Sequence, residues 1–76
     1  MPRTPNQKTL ERIPTLLTAH RRHHGLSRKK LAELCGVHYD TILKMENGYR
    51  LPSLPTLATM ADALDVELTS LFAGPS

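Results

Sequence analysis

The chain has 76 residues and a mass of 8.5 kDa, room for one domain and little for an enclosed enzyme pocket. Hydrophobic residues at 39% and charged residues at 22% exclude wholesale disorder, and a lone cysteine, Cys35, excludes an internal disulfide framework or a thiol-built zinc ribbon. The net charge of +3 is unevenly laid out: all ten Lys and Arg lie between Arg3 and Arg50 and outweigh Glu11, Glu33, Asp40 and Glu46, whereas residues 51–76 hold only Asp62, Asp65 and Glu67. A basic half joined to an acidic half suits a polyanion at one end and a different role at the other. No apolar run approaches the roughly 20 residues that span a bilayer. Met1 to Lys8 carries no signal-peptide hydrophobic region, so a cytoplasmic location is expected.

Residues 1–9, polar and proline-containing, read as a flexible N-terminal arm ahead of a domain over 10–73. Leu10, Ile13, Leu16, Leu17 and Ala19 then recur at near-helical spacing up to His24. Pro14 interrupts them, so this helix either starts near Pro14 or is kinked there. Gly25 is placed to end it in a left-handed cap. Ser27 is an N-cap for a second helix, Arg28 to Cys35, which Gly36 breaks. A third helix, about residues 38–47, buries Ile42 and Met45 and stops at Asn47-Gly48. Ser53 caps a fourth, in which Leu54, Leu57, Met60, Ala61 and Leu64 repeat at three and four, and Asp65 ends it. Glu67 to Phe72 is expected to form a short fifth helix, and residues 74–76 a frayed tail. No strand-like alternation and no internal repeat is present. The expectation is an all-α, compact five-helix bundle.

The stretch from Ser27 to Asn47 carries the functional information. Two short helices that cross steeply need a small residue at their closest approach, which Ala32 supplies. They also need a sharp corner, which Gly36 permits. Ile42 pins the second helix to the first. With Gly25-Leu26-Ser27, Leu31-Ala32-Glu33, Gly36-Val37, Thr41-Ile42, Lys44 to Gly48, Pro52-Ser53-Leu54, Leu57 and Leu68 to Phe72 at matching spacing, the chain resembles the Cro and phage-repressor (Xre-like) helix-turn-helix family from about Ile13 to Phe72. The length and layout are also similar to those of restriction–modification controller proteins. The resemblance implies a lambda-repressor-like DNA-binding domain. It also implies a transcriptional regulator that acts as a homodimer on a palindromic operator in double-stranded DNA.

Such a domain sets the third helix in the major groove. The resemblance then places His38, Tyr39, Asp40 and Lys44 at base edges. Lys44 suits guanine O6 or N7, and Asp40 suits the cytosine amino group. Leu43 meets a thymine methyl or packs. Arg28, Thr41, Asn47, Tyr49 and Arg50 are expected at phosphates, although the family commonly has glutamine at the place of Arg28. Lys29 and Lys30 are equally well explained as a solvated face. The resemblance also pairs Arg21 with Glu46 between the first helix and the end of the third, and Leu68, Leu71 and Phe72 supply apolar surface for a dimer contact.

His20 and His24 stand four apart, a spacing that can hold zinc, with His23 beside them. No acid or thiol is placed to complete the site, so no metal is expected, and His20 reads as a partly buried imidazole. Cys35 reads as a small core residue. Neither paired acids, nor a phosphate-cradling Gly-rich loop, nor a nucleophile with a supporting motif is present, so an enzyme is not expected, nor is a cofactor or small-molecule ligand. The alternative is an antitoxin-like module that grips a partner protein and binds DNA secondarily. Its mark would be an extended partner-binding segment, and the arm and tail are short for that.

Overall fold

The computed structural model describes residues 7–72. Four α-helices follow one another: α1 (Gln7–His23), α2 (Arg28–Cys35), α3 (Tyr39–Glu46) and α4 (Leu54–Ala63), closed by a 3-10 turn over Leu68–Leu71. No strand occurs among the described residues. The expected fifth helix is therefore corrected to a single turn. Its bonds run from the Ser70 amide to the Glu67 carbonyl at 2.9 Å and from the Phe72 amide to the Thr69 carbonyl at 3.2 Å. A segment this short favours such three-residue bonds over a nucleated α-helix.

Helix α1 begins at Gln7, within the expected arm, and runs through Pro14. Proline there removes the amide that would reach the Leu10 carbonyl, yet Ile13 and Leu17 are buried on either side of it. Burial of that stripe overrides the local preference. The rest of the arm, residues 1–6, and the tail, residues 73–76, lie outside the described residues.

All four α-helices stop in the same way. A residue of positive φ follows each (Gly25, Gly36, Gly48 and Asp65), and two backbone bonds reach back across the last turn. At the α2–α3 corner, the Val37 amide donates to the Ala32 carbonyl at 3.0 Å and the Gly36 amide to that of Glu33 at 3.3 Å. This double bond closes the orphan carbonyls of the helix end and turns the chain sharply. At the other ends, Ser27 Oγ accepts from the Lys30 amide at 3.0 Å and Ser53 Oγ from the Thr56 amide at 3.3 Å.

The core is small and continuous. Ile13 and Leu17 of α1, Leu31 and Ala32 of α2, Ile42 and Met45 of α3, and Leu57, Met60 and Ala61 of α4 meet Leu64 and Leu71. Helix α2 packs on α3 and α4, while α1 packs on α3 and on the closing turn. Leu54, expected on the apolar stripe of the fourth helix, instead stands 63% exposed at its first turn. Cys35 packs half-buried at the edge of the core, and burial pushes its thiol pKa up, away from reactivity. No helix among the described residues is long and apolar enough to cross a membrane.

Candidate nucleic-acid interface

Helix α3 is amphipathic by simple spacing. Ile42, Met45 and Glu46 point inward, and Tyr39, Asp40 and Lys44 point out. Thr41 and Leu43 are half-buried at the margins. At 100° per residue, Asp40 and Lys44 share the strip between Tyr39 and Thr41. Their head groups are joined: Lys44 Nζ lies 3.0 Å from Asp40 Oδ2, with both side chains more than half exposed. His38 precedes the helix in extended backbone and makes no capping bond with its side chain. Behind α3, the Asn47 side-chain amide donates to the Leu43 carbonyl at 2.8 Å, so part of its donor capacity is spent on the helix end. Tyr49 and Arg50 follow, both exposed, Tyr49 at 83%.

The inner end of α3 is fixed by a carboxylate shared between two guanidiniums. Glu46, its side chain 1% exposed, accepts from Arg21 Nε at 2.6 Å and Nη2 at 3.1 Å, and from Arg28 Nε at 3.0 Å. The third Arg21 donor, Nη1, reaches the Leu26 carbonyl at 2.8 Å. Burial pushes the Glu46 carboxyl up, but the bonds from Arg21, then Arg28, outweigh it and hold the group below the ordinary glutamate range. Arg28 is in turn raised above its ordinary value by Glu46 and, after it, by the Tyr39 hydroxyl. Among the described residues no buried side-chain polar atom lacks a partner.

Two hollows flank the outward face of α3. Arg21, Arg22, Ser27, Arg28, Lys29 and Tyr39 line one of about 440 Å³, at the start of α2. A cleft of about 530 Å³ lies between the α2–α3 corner and the start of α4, and it brings together His38, Thr41, Arg50, Ser53 and Thr56. One carries four cationic side chains and the other a row of hydrogen-bonding groups. Both suit an extended anion such as a nucleic-acid backbone. Sequence alone does not point to Arg22. Its place beside Arg21 in the last turn of a helix gave no signal of the hollow it joins.

A family model for the helix-turn-helix, HTH_3, matches residues 17–71, which take in every element just described from α2 onward and the last two turns of α1. The chain belongs to that family. HTH_3 proteins are a DNA-binding, non-enzymatic class. An uncharacterised HTH-type transcriptional regulator of Methanothermobacter thermautotrophicus is 42% identical over 53 residues, 70% of this chain and 77% of its own length. Among solved structures, the restriction–modification controller protein C.AhdI of Aeromonas hydrophila superposes with a TM-score of 0.79 at 35% identity, over 83% of this chain and 96% of that one. An HTH_3 family transcriptional regulator of Vibrio cholerae superposes equally well, TM-score 0.79 at 28% identity, over 88% of this chain. The present chain spans 39% of that longer protein.

Within the helix-turn-helix, α2 and α3 are the crossing pair and Gly36 is their corner. The remaining residues named from sequence fall as follows. Leu71 is fully buried in its own core, while Leu68 and Phe72 are half-buried against it. His20 is half-buried, and His23 and His24 are exposed with their rings edge to face at 5.7 Å. Among the described residues no group of three or more His, Cys, Asp or Glu is gathered closely enough to hold a metal ion.

Proposed function

We propose that this chain is a sequence-specific, double-stranded DNA-binding transcriptional regulator that acts as a homodimer on a palindromic operator. The observation that carries the reading is the outward face of α3, exposed and polar, presented by a helix-turn-helix and flanked by two anion-suited hollows. Helix α3 enters the major groove with His38, Tyr39, Asp40 and Lys44 toward the base edges. Arg28, Thr41, Asn47, Tyr49 and Arg50 hold the phosphates on either side. The acidic C-terminal part faces away from DNA, and the exposed portions of Leu68 and Phe72 contribute to the dimer contact, with Leu71 supporting them from the core. A regulator of the controller type is the subtype that the likeness to C.AhdI supports. The test is selection of bound duplexes from a random pool. It should return one two-fold symmetric sequence, with half-sites about 10 base pairs apart from centre to centre. A pool that stays random after repeated selection would overturn the proposal.

A further inference from the structure

We infer that Asp40 and Lys44 act as one reading unit that recognises a single G·C base pair in each half-site. The inference rests on the DNA-binding reading above and sharpens it. The two are the only exposed charges within α3, and they are not independent: Lys44 Nζ and Asp40 Oδ2 are 3.0 Å apart. That is the spacing, about 2.9 Å, of donor and acceptor across a Watson–Crick N–H···O bond. In the major groove, the cytosine N4 amino group and guanine O6 lie side by side at that spacing, one donating and one accepting. A carboxylate beside an ammonium is their complement. Asp40 takes the free amino hydrogen of cytosine while Lys44 donates to guanine O6 and the adjoining N7. The ion pair meets the base-pair edge without separating.

An A·T pair fits the unit less well. Adenine and thymine never present two adjacent acceptors to the ammonium, and the thymine methyl flanks the one acceptor on its side. The pair is also neutral as a unit. It therefore adds no indiscriminate attraction to phosphate, and Asp40 holds down binding to the wrong sequence as well as reading the right one. With both side chains more than half exposed, their removal leaves the core untouched.

The experiment compares wild type, Asp40→Ala, Lys44→Ala and the double variant by random-pool selection, and by gel shift on the selected duplex and its single-base variants. Circular dichroism checks that each variant keeps its helices. The expected result is one G·C position per half-site whose preference is lost in both single variants, by about tenfold or more in discrimination. The double variant should lose no more at that position than either single one. Asp40→Ala should meanwhile bind random duplex more tightly, with the salt dependence steeper by about one phosphate equivalent. Loss of preference at two different positions, additive effects, or a G·C preference that survives both substitutions would overturn this inference and leave the DNA reading standing. A wild-type chain that selects no sequence would overturn both.

Discussion

Glu46 decides the most at the scale of single residues. A buried carboxylate with two guanidinium partners does not add much net stability, because desolvation offsets the attraction, but removing Arg21 takes two of its three bonds and leaves it to the part-exposed Arg28 alone. Arg21→Ala should therefore cost about 3 kcal/mol in a urea titration at neutral pH, a large share of what a domain this size has. An unchanged unfolding midpoint would refute that role. Because the folded chain holds Glu46 below its ordinary value of 4.5, its contribution is complete above that pH and is lost as pH falls through the depressed value. Glu46→Gln should thus be less stable than wild type at pH 7, and the gap should close on acidification. The sequence resemblance pointed to Arg21 and Glu46 but not to the bond from Arg28, 18 residues away from Glu46 on another helix. No local pattern connects those two positions; only the packing of α2 on α3 does. Asp40 and Lys44 are the opposite case. Their spacing of four is visible, yet the sequence offers them only as separate base contacts, because nothing in one dimension shows two head groups touching.

At the scale of elements, the stops were more legible than the starts. Gly25, Gly36, Asn47-Gly48 and Asp65 announced the ends of the helices because few side chains accept a positive φ. The start of α1 was not legible, since Pro14 argues locally for a break that the burial of Ile13 and Leu17 overrides. The last helix is shorter than its pattern for a related reason: Leu68, Leu71 and Phe72 have helical spacing, but four residues after a left-handed stop complete only a 3-10 turn. Gly36 gives a clean measurement. A methyl group added there would meet nothing within 4 Å, so Gly36→Ala should cost only the left-handed backbone penalty of about 1–2 kcal/mol. Asp65 already bears part of that penalty at φ 53, so Asp65→Gly should raise the thermal midpoint where Gly36→Ala lowers it. A Gly36→Ala variant as stable as wild type would show that the α2–α3 corner can relax into another turn.

Over the whole molecule, charge layout and association should be seen together. Each phosphate that the protein neutralises releases counterions, so affinity for the selected duplex should fall linearly in log–log form with salt, by about 0.9 per contact. Arg50→Ala should lower that slope by about one contact and weaken all sequences alike, which separates it from the base-reading residues of α3. A homodimer predicts that the mass seen in sedimentation climbs from 8.5 kDa toward twice that value as concentration rises. The thermal midpoint should climb with it. A mass fixed at the monomer value even on operator DNA would remove the dimer from the proposal.

The Arg21–Glu46–Arg28 cluster has unequal numbers, two cations for one anion. The junction of three helices is thus left with an unbalanced positive charge, and Arg28 holds it at the rim, one third exposed. A duplex strand laid against that rim would supply the missing negative partner. Ligand and scaffold would then tighten the same knot, and the protein should melt higher when bound for a reason internal to its own architecture.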